Sequence, residues 1–157
     1  MLLCPVKNPC RLTQKFGERP EVYSQFGLKG HNGIDWAGPK PGDKVSLYAP
    51  LEGFIEISDQ GAAGYGKHVR IKTKQYDNKG RIKEVVLGHF DSIDAKWKTG
   101  DFVPMGELLG VMGTTGFSTA VHVHMGLRFL NAAGTVLDYD NGYKGSIDFL
   151  PYVIYWG

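Results

Sequence analysis

Hydrophobic and polar residues alternate with a period of two through the middle of the chain. In HVRIKTKQY, residues 68–76, Val69, Ile71 and Thr73 fall on one face, and Arg70, Lys72 and Lys74 on the other. That is the period of a half-solvated antiparallel strand. Asp77-Asn78-Lys79-Gly80 is a turn signal and RIKEVVLGHF, 81–90, returns from it, so the two segments form a hairpin. VSLYAP (45–50) and GFIEISD (53–59) read as strands, and FVPMGELLGVMG (102–113) as a pair of short strands punctuated by glycine. VHVHMGLRFL at 121–130 is a strong strand that NAAG, 131–134, turns into TVLDY. The first thirty residues are broken by Pro5, Pro9, Gly17, Pro20, Gly27 and Gly30 and read as an extended lead-in with loops. DSIDAKWKTGD, 91–101, is the one place for a short helical turn, and the apolar, aromatic tail IDFLPYVIYWG is expected to dock on the body.

Composition sharpens this picture. The 157 residues suit one domain. Residues 1–21 form its lead-in and 131–157 a C-terminal hairpin and tail. Glycine, at 22 residues, is unfavourable inside helices and argues against a helical bundle. The expectation is a mainly β, glycine-rich, antiparallel sheet or sandwich-like single domain.

A net charge of +2 does not argue for nucleic acid, although it suits an anionic polymer. No stretch approaches the ~20 apolar residues of a membrane-spanning helix, and MLLCPVKNPC does not read as a signal peptide. Cys4 and Cys10 are compatible with a disulfide or with two free thiols. A zinc site on them is improbable, because no further ligands lie nearby in sequence.

The chemistry is concentrated in five histidines: His31, His68, His89, His122 and His124. In His122-Val123-His124 the two imidazoles share a strand face about 6.6 Å apart, while Val121, Val123 and Met125 turn toward a core. His31 and Asp35 would stand about 13 Å apart on a straight strand, too far for one metal. A bend at Asn32-Gly33 would close that gap. His31, Asp35 and one member of the 122/124 pair would then make a two-histidine, one-carboxylate set, a catalytic zinc pattern. A second imidazole beside the metal could accept a proton. Taken singly, a His–Asp pair is usually a surface contact and a His-x-His usually solvated strand; the two motifs gain weight together. Ser118 and Thr119 lack the context of a nucleophile. The basic residues of the hairpin read as a solvated face that could also hold an anionic polymer.

HNGID, LGHF and GTTGFSTAVHVHMGL together resemble the lysostaphin-type (LytM-like) zinc metalloendopeptidases, which cut peptidoglycan cross-links. GYGKHVRI and GDFVPMGELLGVMGTTG also look like segments of that family, and the resemblance covers roughly residues 22–130. It implies long loops around a groove, one zinc ion per chain held by His31, Asp35 and His124, and catalytic roles for His89 and His122. His122 would take a proton from zinc-activated water and His89 would hydrogen-bond the developing oxyanion. His68 matches a variable strand position and reads as structural, facing solvent or capping a neighbour.

This chain departs from the family at Leu87-Gly88, where a tyrosine is usual before the histidine, and at Val121, where proline is usual. Neither change touches a ligand. The implied partners are peptidoglycan peptides, with no nucleic acid and no membrane span, and a monomer is expected. Action on the wall from outside the cell or in the periplasm suits a phage-encoded, virion-associated enzyme or a trimmed piece of a secreted one. With no pro-segment long enough to cover the site, the enzyme is expected not to be self-inhibited. The alternatives are an inactive homologue that binds or activates a wall hydrolase, and a non-catalytic carbohydrate- or protein-binding module. The residues leave open which cross-link is cut.

Overall fold

The computed structural model describes residues 1–157. A seven-stranded, wholly antiparallel sheet forms its body, in the order β2-β3-β11-β7-β6-β5-β9. Its strands are β2 (Arg11–Gln14), β3 (Ile34–Ala37), β5 (Gly53–Asp59), β6 (Lys67–Lys72), β7 (Ile82–Gly88), β9 (Phe102–Val103) and β11 (Val123–Leu130). A three-stranded sheet, β4 (Ser46–Tyr48), β10 (Leu108–Met112) and β8 (Phe90–Ile93), contributes Leu47, Phe90, Leu109 and Met112 to the same core. The mainly β, antiparallel expectation therefore holds.

Strand alternation divides the large sheet into two faces. Val69 and Ile71 of β6, Val85 and Leu87 of β7, Val123 and Met125 of β11, and Ile34 and Trp36 of β3 are fully buried in the core. The residues between them, including Arg70, Glu84, Val86, His124, Gly126, Arg128 and Asp35, line a groove on the other face. The expected hairpin is present, with Val69 opposite Leu87 and Ile71 opposite Val85.

Several local expectations are corrected. The lead-in is not merely extended: β1 (Leu2–Leu3) and β2 are strands, and a helical turn α1 (Pro20–Tyr23) runs into a 3₁₀ turn at Ser24–Phe26. Pro20 stands at the start of α1, where its missing N–H costs nothing. Residues 91–101 contain no helix. Asp94 accepts the Lys96 N–H and Asp101 the Lys98 N–H, so side chains take the backbone donors that a helix would use. The two strands within 102–113 do not pair with each other: β9 joins β5, while β10 joins β4 and β8. After β11, residues 131–134 turn, but the return makes only an isolated bridge between Leu130 and Val136.

The tail docks as expected. β12 (Val153–Ile154) pairs in parallel with β1, and the Trp156 indole donates to the Cys4 carbonyl at 2.9 Å. Phe149 is fully buried beside Trp36, whereas Tyr152 is exposed. Cys4 and Cys10 are both free thiols, and burial pushes the Cys4 thiol up to about 12. No helix is long and apolar enough to cross a membrane.

Phe149→Ala should therefore cost about 3–5 kcal/mol of unfolding free energy. Tyr152→Ala, three residues on, should change it by less than about 0.5 kcal/mol. Urea denaturation of the two variants tests whether the tail is part of the core.

Candidate metal centre and groove

His124 lies directly opposite Asp35 across the β11–β3 ladder, so the sheet register alone brings those two side chains together. His31 arrives differently. The chain bends through residues 29–33 before β3 begins, and this bend puts His31 Nε2 3.1 Å from Asp35 Oδ1. The backbone turn that the spacing of the two residues demands is thus present. Gly33 serves it by close approach: a Cβ there would collide with the Met125 carbonyl and the His124 ring.

The three atoms His31 Nε2, His124 Nδ1 and Asp35 Oδ1 form a nearly equilateral triangle. Its edges are 3.0 Å between the rings, 3.1 Å from His31 to Asp35 and 3.2 Å from His124 to Asp35. Tetrahedral ligands at about 2.0–2.1 Å from zinc are roughly 3.3–3.4 Å apart, close to these edges. All three residues are buried.

Hydrogen bonding at the edge of the site fixes the His31 tautomer. His31 Nδ1–H donates to the Lys15 carbonyl at 3.1 Å, which leaves Nε2 as a lone pair facing the triangle. His124 Nε2 is buried and finds no hydrogen-bond partner in the protein. With a cation in the triangle, the His124 proton would sit on Nε2 and a second lone pair would turn inward. Two imidazole lone pairs and a carboxylate oxygen then face one another with no proton between them, a donor set that fits a divalent cation. In the metal-free, protonated state the facing nitrogens carry protons instead: burial by itself would raise the Asp35 carboxyl, but hydrogen bonds from the His124 and His31 rings then prevail and hold it well below the usual carboxylate range.

His122 and His89 stand beside this triangle with ring centroids 4.7 Å apart. His122 Nδ1–H donates to the Ala120 carbonyl at 2.7 Å, and its Nε2 lies 3.4 Å from Asp35 Oδ2. His89 has a positive φ of 67° at the break after β7, and its Nδ1–H donates to the Thr115 carbonyl at 2.6 Å. Burial, reinforced by His122 and His124, pushes the His89 imidazole down to about 4. Four of the five histidines are therefore adjacent. His68 is separate: it is buried rather than solvent-facing, and its Nδ1–H caps the Gly66 carbonyl at 2.8 Å.

The loop at 114–119 borders the groove, as expected, and its position is set by backbone contact. Gly66 and Gly116, both at positive φ, cross so closely that a Cβ on either would strike the backbone of the other loop. That crossing holds Thr115, and through its carbonyl the His89 ring.

Sequence reading missed Tyr65, which stacks on His124 with centroids 5.2 Å apart. It also missed the buried Glu84 with Arg70, Lys72 and Arg128 around it. Glu84 and Arg128 fall on the groove face of their strands, a placement that needs the sheet register. The groove encloses about 590 Å³.

Fold and donor set together define a metallopeptidase domain. The chain belongs to peptidase family M23, whose sequence model matches residues 29–141. It is 30% identical to the catalytic domain of a prophage-encoded M23 protein, EnpA, of Enterococcus faecalis, in variant form. That match covers 86% of this chain and 92% of the other, with a TM-score of 0.61. The catalytic domain of the antimicrobial peptidase lysostaphin of Staphylococcus simulans shares the fold at 23% identity, with 92% of each chain covered and a TM-score of 0.63. A Haemophilus influenzae protein described as an uncharacterized metalloprotease is 25% identical over 120 residues; the match takes in 76% of this chain but only 23% of that protein.

The His89 shift has a definite pH signature in the metal-free chain. The folded value, about 4, lies below the ~6.5 of an unfolded histidine, so the unfolded chain takes up the proton first. Stability should fall as pH drops from about 6.5 to 4, by up to roughly 3 kcal/mol, and no further through this residue below that. Urea midpoints across this range should show the slope, and His89→Gln should flatten it.

Proposed function

We propose that the domain is a zinc-dependent endopeptidase that hydrolyses peptide cross-links of bacterial peptidoglycan. The convergence of His31, Asp35 and His124 on one point, with His89 and His122 at its side in the same groove, carries this reading. His31, Asp35 and His124 would hold one ion per chain. When bound, zinc polarises a carbonyl and lowers the pKa of a water molecule toward ~7.

The remaining chemistry belongs to the protein. The Ala120 and Thr115 carbonyls take the Nδ1 protons of His122 and His89, so each neutral ring offers Nε2 as a proton acceptor. A ring that has accepted a proton becomes a donor, able to hydrogen-bond an oxyanion or to protonate the leaving amine. His122, whose Nε2 lies 3.4 Å from Asp35 Oδ2 and so beside the metal position, suits the first proton transfer. His89 can donate toward an oxyanion only after it has itself gained a proton.

The similarity to a prophage-encoded M23 protein and to an antimicrobial peptidase supports a bacterial wall substrate approached from outside.

The purified protein should bind about one zinc per chain, and His31→Ala and His124→Ala should lose it. His89→Ala and His122→Ala should keep the metal yet clear sacculi at least ~100-fold more slowly. Elemental analysis and turbidity assays read both effects. Undiminished clearing by His31→Ala and His122→Ala would remove the enzymatic reading.

A further inference from the structure

The groove continues past the metal centre along β11 and β7. On the groove face, cross-strand partners follow one another in register: His124 with Gly88, Gly126 with Val86, and Arg128 with Glu84. Four strand steps lead from His124 to Arg128, about 14 Å at ~3.4 Å per residue. Gly126 keeps the floor between them low.

At the far end stands Glu84, its side chain only 3% exposed. Three cations converge on it: Arg70 Nη1 at 3.2 Å, Lys72 Nζ at 3.5 Å, and Arg128 through Nε. A buried carboxylate needs one cation to balance its charge. Here three positive groups meet one negative group, and the cluster keeps a surplus of two positive charges.

The two guanidinium groups are held in place and yet open. Glu84 takes Nε of Arg128 and one Nη of Arg70, leaving the other N–H groups of each fork without a protein acceptor. Arg70 also lies against the Tyr65 ring, 5.7 Å from its centroid. The Arg70 and Arg128 side chains are 21% and 26% exposed, and both line the groove. Anchored forks with spare donors and excess charge suit a planar carboxylate.

We propose that Arg70 and Arg128, positioned by Glu84, form a subsite for a carboxylate of the substrate peptide, about four residues of extended chain from the metal centre. The proposal rests on the endopeptidase reading of the same groove. It makes the hairpin's Arg70 a specificity element rather than part of a solvated face. It also assigns the domain a preference for cross-linked peptides with a free acid over those in which the acid is an amide. Arg128 and Arg70 act here on binding, and not on the reacting bond.

The test uses soluble cross-linked wall peptides freed of glycan, and the same peptides with their carboxyl groups converted to amides by carbodiimide and ammonium. Calorimetry with the zinc-loaded His122→Ala protein measures binding without turnover, and the wild-type protein measures cleavage. The acid form should bind about 10-fold more tightly than the amide form. Adding Arg128→Gln or Arg70→Gln should remove most of that difference and leave the affinity for the amide form in place. Arg128→Lys should retain part of it, and Lys79→Gln, at the distant hairpin turn, all of it. Each single variant leaves Glu84 two cations, so the fold is preserved. Equal affinity for the two forms, no binding of either, or equal weakening of both by Arg128→Gln overturns the subsite. An acid preference that Arg128→Gln abolishes, in a protein that leaves the peptides uncut, upholds the subsite and sinks the endopeptidase reading. Cleavage indifferent to amidation does the reverse.

Discussion

A buried carboxylate that must stay charged governs the centre of this molecule. Asp35 sits on an interior strand, almost wholly removed from solvent, with imidazole nitrogens of His31 and His124 3.1 and 3.2 Å from one of its oxygens and His122 3.4 Å from the other. Removing such a charge from water is costly unless it is paired and hydrogen-bonded. The neighbouring side chains are imidazoles, two of them, His31 and His122, tied through Nδ1 to backbone carbonyls with Nε2 turned toward the carboxylate. A proton shared among these groups satisfies them in part and leaves His124 Nε2 without a partner. A divalent cation would satisfy the carboxylate and both inward lone pairs at once. The centre is thus stable as a protein fold but electrostatically incomplete.

The rest of the fold keeps that incompleteness in one geometry. Asp35 and His124 are fixed by the register of adjacent strands, the least adjustable relation in a sheet, because a one-residue slip would send either side chain to the core. The other rings are steered by loop carbonyls: Lys15 for His31, Thr115 for His89 and Ala120 for His122. Carbonyl acceptors do not depend on the side chain that carries them. Loop sequence can therefore vary while ring orientation persists, provided the loop backbone stays in place. The Gly66–Gly116 crossing supplies that condition for Thr115, since two backbones in contact have nowhere to move. The positive φ of His89 belongs to the same arrangement, with its N–H given to the Tyr65 carbonyl and its own carbonyl taken by Gly113 N–H.

Much of this was legible in the sequence, for identifiable reasons. Period-two alternation in 68–76 and 121–130 reported which face is core, because one face packs apolar side chains while the other carries the polar residues that line the groove. The incompatibility of His31 and Asp35 on a straight strand announced the bend. The rest escaped because the local signal pointed elsewhere or was absent. Residues 91–101 have helix-compatible composition, but Asx-type side-chain bonds from Asp94 and Asp101 took the backbone instead. The lead-in was read as loop from its prolines and glycines, although Pro20 is a helix start and Arg11–Gln14 completes an edge of the sheet. Glu84 reads as one more charge in a basic hairpin until Arg128, 44 residues away, is placed against it.

The two buried carboxylates give the groove a direction. Near the middle, Asp35 is surrounded by groups that can be neutral, and that end lacks positive charge until a cation arrives. At the far end, Glu84 is surrounded by cations that are always charged, and that end holds positive charge in excess. Both anions lie on the same face of the same sheet, about four residues apart along the strands and two strands apart across them. On the proposed function, a substrate in the groove would meet an electrophilic centre at one point, once a cation is bound, and a fixed attraction for anions at another. Because β11 carries His124 and Arg128 on one straight, hydrogen-bonded segment, the spacing between them is set by the strand repeat. An extended peptide laid along that strand has nearly the same repeat, so on the proposed function a side-chain carboxylate at the matching position would reach the arginines only with the scissile bond at the metal position. Recognition of charge and placement of the scissile bond are then one geometric condition.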